Sequence, residues 1–81
     1  MHAYILIRVD AGREKMVIHS LSRSRSVEWV HEIYGDWDLI SYVSFSDFAT
    51  LDYVASNVIR SGRGVERTQT YIVEFGRATG R

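Results

Sequence analysis

Four stretches of this chain alternate apolar and polar residues, and two stretches between them repeat with the wider spacing of a helix. Ala3, Ile5, Ile7 and Val9 fall on one side of a first strand, with Tyr4, Leu6 and Arg8 on the other. Asp10-Ala11-Gly12 interrupts it. Asp10 or Gly12 is placed to cap a helix from Arg13 to about Arg23, whose apolar stripe is Met16, Val17 and Leu21. The Ser/Arg run from Ser20 to Ser26 is a poor helix interior and holds the exit loop. Val27 to Tyr34 alternates again, grouping Val27, Trp29, His31 and Ile33 against Glu28, Val30, Glu32 and Tyr34. Leu39, Ser41, Val43 and Phe45 then oppose Ile40, Tyr42 and Ser44. Between these two runs, Gly35-Asp36 suits a tight hairpin because both residue types tolerate φ > 0.

Ser46-Asp47 reads as an N-cap pair. The helix it starts carries Phe48, Leu51, Ala55, Val58 and Ile59 as its stripe, and Gly62 and Gly64 sit where a left-handed residue closes a helix. Val65 to Phe75 is a last strand, and Gly76 to Arg81 a mildly basic, frayed tail. The order β-α-β-β-α-β predicts an α+β, ferredoxin-like fold, with two helices on one face of a four-stranded antiparallel sheet. The other face should be polar in a monomer. It is not: the first three strands carry large apolar groups on both faces, so no register leaves a polar one. Burying such a side chain against a partner is worth roughly 1.5–3 kcal/mol, and sheet-to-sheet dimerisation is the expected result.

Size sharpens that expectation. The 81 residues make one domain, with a core from about residue 3 to 75. A chain of this length buries only roughly 60% of its unfolded surface. It has no cysteine, so neither disulfides nor a thiolate zinc site can reinforce it, and oligomerisation is the remaining device. Ten basic and ten acidic residues cancel, so no overall field draws it to nucleic acid. The longest apolar run, Ala3-Tyr4-Ile5-Leu6-Ile7, is too short to span a bilayer, and the N-terminus lacks the pattern of a signal peptide. A soluble, cytoplasmic protein without membrane partners is expected.

Candidate chemistry is sparse. No nucleophile elbow, zinc-protease helix or phosphate loop occurs. His2, His19 and His31 have no partner at i+3 or i+4, so neither a metal nor a cofactor is expected. His31, beside Trp29 and Ile33, reads as a hydrogen-bonded structural residue. Asp36 and Asp38, two apart on one hairpin, shape a turn more naturally than they exchange protons. Arg60, Arg63 and Arg67 cluster where a helix C-terminus favours cations. Tyr4, Trp29, Tyr42 and Tyr71 lie on strands without the basic–aromatic signature of RNA readers, so direct nucleic-acid binding is not expected. What remains is recognition of a small zwitterion. An amino acid needs a carboxylate for its ammonium, and amides or hydroxyls for its carboxylate. The Gly35–Asp38 turn offers exposed amides and two acids; Thr68 and Thr70 place two hydroxyls on one side of the last strand. Ordinary β-propensity accounts for that threonine pair equally well.

The start Ala-Tyr-Ile-Leu-Ile-Arg-Val, the turn Gly35-Asp36-Trp37-Asp38-Leu39-Ile40 and the ending Gly64-Val65-x-x-Thr68-x-Thr70-x-Ile72-Val73 together resemble the effector (RAM) domain of Lrp/AsnC transcriptional regulators, over roughly residues 3 to 75. The resemblance implies sheet-paired dimers that assemble into octamers or decamers, with an amino-acid effector held between dimers. Carried over by position, it marks Gly35, Asp36, Trp37 and Asp38 as the effector turn. Tyr71, Ile72 and Val73 become the last-strand segment associated with effector response, and Thr68 and Thr70 the motif before it. Asp38 is the residue expected to meet the effector's ammonium, or to make the inter-dimer contact that the effector modulates. Trp37 stands where the family more often has Tyr or Phe, which leaves the effector's identity open. Full-length regulators begin with a helix-turn-helix domain, whereas Met1 here lies two residues before the first strand. The expectation is therefore a stand-alone, non-enzymatic amino-acid sensor that self-assembles or joins a full-length regulator. Two other readings stay open. One is a small dimeric α/β-barrel enzyme of oxygenase type using Trp29, His31 and Asn57; the other is a structural assembly partner with no ligand.

Overall fold

The computed structural model describes residues 1–73 of the chain. Its elements follow the expected order: β1 His2–Val9, α1 Glu14–Ser22, β2 Val27–Glu32, β3 Leu39–Ser44, α2 Phe48–Tyr53, a π-helix Val54–Arg60 continuing α2, and β4 Val65–Ile72. All pairings are antiparallel and the strand order is β2-β3-β1-β4, the ferredoxin-like arrangement with β1 and β3 at the centre. The expected run of the last strand to Phe75, and the tail after it, extend beyond the described residues.

The alternation of β1 and β3 holds throughout. Ala3, Ile5, Ile7 and Val9 are buried with Leu39, Val43 and Phe45 on the helix side of the sheet. Ser41 is buried among them, and its hydroxyl donates to the Ile5 carbonyl (3.0 Å), so the polar group is satisfied. Val17 and Leu21 of α1 and Leu51, Val54 and Ile59 of the second helix complete that layer.

The expectations need correction at five points. In β2 the register slips between Val27 and Trp29. Val27 pairs with buried Val43 while Trp29 pairs with Tyr42, so the bulge divides the expected Val27–Trp29–His31 group between the two faces. Val30 packs against the core instead. Met16 and Phe48 (57% exposed) leave their expected stripes. In the second helix the buried step runs from Val54 to Ile59, five residues. An α-helix would set those two about 140° apart, whereas a π turn brings i and i+5 onto one face. Neither Asp10 nor Gly12 caps α1: Arg13 holds the N-cap without a side-chain bond, and its amide donates to the Asp10 carbonyl. Gly62 has no positive φ; Gly64 alone of the two adopts it, at +91°.

The Asp47 cap is as expected, its carboxylate accepting from the Thr50 amide and hydroxyl, each at 2.8 Å. Those two bonds, the amide's first, lower the Asp47 pKa. A carboxyl depressed on folding stabilises fully above its unfolded pKa and loses that contribution as pH falls through the folded value. Asp47→Ala should therefore melt below the parent at neutral pH, and the gap should close in strong acid. A gap independent of pH would deny the charge any part.

Candidate functional site

The segment joining β2 to β3 is wider than a two-residue hairpin. The Ile33 amide donates to the Asp38 carbonyl (3.0 Å), which leaves Tyr34 to Trp37 as the loop. Gly35 takes φ +134°, a region other residues rarely adopt, while Asp36 remains at negative φ, contrary to expectation. A loop of this composition would be mobile if left alone. Here it is pinned. The Asp38 amide donates to the Ile7 carbonyl (3.0 Å), and Asp38 Oδ2 accepts the Val9 amide (2.8 Å). The Arg8 guanidinium donates to the Asp36 carbonyl. From β4, the Arg67 guanidinium lies 4.9 Å from the centre of the Trp37 ring, a cation–π contact. Arg8 and Arg67 are paired across β1 and β4, and Glu66 approaches Arg8 at 3.9 Å, so the two cations are only partly compensated. Among the described residues, no acceptor meets the amides of Gly35, Asp36 or Trp37, and no donor meets the Asp36 carboxylate. The turn thus presents free amides and a free acid from a fixed backbone. Beside its first residues, a recess of about 260 Å³ opens against Glu32, Ile33 and Tyr34.

The other candidate positions lie along the outer strand. Thr68 and Thr70 pair with Ile7 and Ile5, which puts both half-buried threonines on the helix side of β4. Arg67, Gln69 and Tyr71 occupy the opposite side, paired with Arg8, Leu6 and Tyr4. Tyr71, Ile72 and Val73 are exposed at the far end, where the Val73 amide donates to the His2 carbonyl (2.9 Å). Four residues of strand separate Arg67 from Tyr71, about 13 Å. One chain therefore gathers Gly35 to Asp38 at one corner and strings the remaining candidates along its edge. Sequence reasoning missed Arg8 and the Val9 amide as partners of the turn, and took Arg67 for a helix-end cation. The open-face position that Arg67 shares with Arg8 was the available signal.

The sheet face away from the helices carries an unbroken set of rings. His2 stacks on Tyr42 (4.7 Å between centroids), Tyr42 stacks on Trp29 (5.3 Å), and Trp29 meets the edge of His31 (4.7 Å). Tyr4 leans on Tyr42 and Trp29 at 4.9 and 6.2 Å. His2 also contacts Glu28 at 3.2 Å. Leu6 and Ile40 extend this surface. Trp29 and His31 lie on this open face, whereas Asn57 is exposed on the π-helix of the other layer, so the three do not line one cavity. Among the described residues no group of three His, Cys, Asp or Glu is placed to hold a metal, and no helix is long and apolar enough to cross a membrane.

Comparison with known proteins agrees with this architecture. Among curated proteins none matches the chain significantly. TTHA0845 from Thermus thermophilus is 32% identical, with 99% of this chain and 98% of that chain covered and a TM-score of 0.88. AsnC from E. coli is 18% identical and superimposes with a TM-score of 0.88 over 99% of this chain but 54% of its own. The transcriptional regulator NMB0573 from Neisseria meningitidis, solved as its L-Met complex, is 16% identical, with 96% and 53% covered and a TM-score of 0.79. The family model described as the Lrp/AsnC ligand binding domain matches residues 2–74. With nearly its whole length matched by that model, the chain belongs to the Lrp/AsnC ligand-binding-domain family.

Proposed function

We propose that this protein is an amino-acid-responsive assembly module that acts in transcriptional regulation without catalysing a reaction. The observation that carries the reading is the ring-covered sheet face, which no helix among the described residues covers. A second copy packed face to face buries these rings and forms a dimer. Dimers then meet through the Gly35–Asp38 turns and the exposed Tyr71, Ile72 and Val73, building a ring of the octamer or decamer kind. An amino acid binds at that junction, its carboxylate on the turn amides and its ammonium on a turn acid; Thr68 and Thr70 line the adjoining edge. The L-Met complex of the Neisseria regulator supports an amino acid as the class of ligand. Occupancy shifts assembly only as far as the ligand prefers one state, and that preference is the signal passed to a full-length regulator.

The reading is tested by measuring mass with light-scattering chromatography, with and without each of the twenty amino acids. A multiple of the dimer mass that changes with one of them supports it. A plain dimer indifferent to all twenty would leave a structural partner in its place.

A further inference from the structure

The two acids of the turn differ in what holds them. Val9 is 6% exposed and stands where the β1–β4 register slips, and β3 reaches β1 only as far as the Leu39–Ile7 pair. Its amide is thus a nearly buried donor at the end of a ladder, and Asp38 Oδ2 is its acceptor at 2.8 Å. A buried amide without an acceptor is strongly disfavoured, so swinging the Asp38 carboxylate toward a ligand would cost the bond that ties the turn to β1. Asp36 is in the opposite position. Its carbonyl is anchored by Arg8, its side chain is exposed, and no donor among the described residues engages its carboxylate. Around the turn, Arg67 is stacked on Trp37 and Glu66 approaches Arg8.

Resting on the sensing role proposed above, we propose a division of labour within the turn. Asp38 is a positioning residue that shapes the turn through the Val9 amide, and Asp36 is the carboxylate that meets the ammonium of a bound amino acid. Holding the backbone at Ile7, Val9 and Arg8 removes the ordering cost that a free loop would incur on binding.

Three variants separate the roles: Asp38→Asn keeps an oxygen acceptor but loses the charge, Asp38→Ala loses both, and Asp36→Asn removes the other charge. Without any ligand, amide exchange at Val9, followed by NMR, should quicken on the order of tenfold in Asp38→Ala and stay near the parent in Asp38→Asn. The twenty L-amino acids are then screened by thermal shift against each variant. An amino acid that raises the parent's Tm should still do so in Asp38→Asn, and should bind Asp36→Asn at least about tenfold more weakly. Unchanged Val9 exchange in Asp38→Ala would overturn the positioning role. A full response in Asp36→Asn with none in Asp38→Asn would overturn the assignment of the ammonium site. If no amino acid moves the parent, the sensing role fails and Asp36's part with it, while Val9 exchange still decides the part of Asp38.

Discussion

Replacing Tyr42 by aspartate should convert the protein to folded monomers. Tyr42 sits on a central strand, in contact with His2, Tyr4 and Trp29, in the middle of the uncovered face. Packing an aromatic ring against a partner contributes roughly 1.5–3 kcal/mol, and a two-fold interface contains the residue twice. Aspartate forfeits both contributions and adds two carboxylates that must be desolvated. Dimer affinity should fall by on the order of a thousandfold or more. The fold should survive, because the packing of Ile5, Ile7, Leu39 and Val43 lies on the other side of the sheet. Sedimentation equilibrium reads the mass, and far-UV circular dichroism reads the fold. A Tyr42→Asp protein that keeps the parent's mass would show that this face is not where two copies meet.

Among the described glycines, Gly64→Ala should be the most damaging substitution, for a reason that concerns the opposite layer. Gly64 holds φ +91° while its carbonyl accepts the Asp10 amide (2.8 Å). A Cβ there would stand 3.0 Å from Arg13 Cβ, 3.2 Å from Met16 Cε and 3.3 Å from Val17 Cγ2. The backbone conformation and the crowding against α1 add, for roughly 2–4 kcal/mol together. Gly12 provides the control. It also has positive φ, +82°, but a Cβ would meet nothing within 4 Å, so Gly12→Ala should cost only the conformational part, about 1 kcal/mol. Urea unfolding at one fixed protein concentration compares the pair, since mass action shifts the apparent stability of an oligomer. Equal losses at the two positions would mean that the close approach to α1 carries no energy.

Much of this architecture was legible because local rules and the fold agree. The two-residue period of Ala3–Val9 and Leu39–Phe45, and the Asp47 cap, each follow from a short stretch of chain. What failed to transfer was set by neighbours distant in sequence. The β2 bulge depends on the Val27–Val43 and Trp29–Tyr42 pairings, which periodicity within β2 cannot express. The π turns that bring Val54 and Ile59 onto one face answer to the packed layer beneath them, as does the exposure of Phe48.

The turn illustrates the same division at the candidate site. Gly35 with two acids marks a turn from sequence alone, since glycine reaches φ +134° and acids are at home in loops. Which acid is held and which is free is a different kind of fact. It depends on the Val9 amide, twenty-nine residues from Asp38 along the chain, and on Arg8 and Arg67 arriving from β1 and β4. By itself, then, the sequence determined the order of elements, the side of each central strand that faces the helices, and the presence of an apolar second face. Tertiary structure alone decided the partners of the turn and the scattering of Thr68 to Val73 along an edge. Periodicity is a property of consecutive residues, whereas a hydrogen bond between distant strands exists only once both are in place.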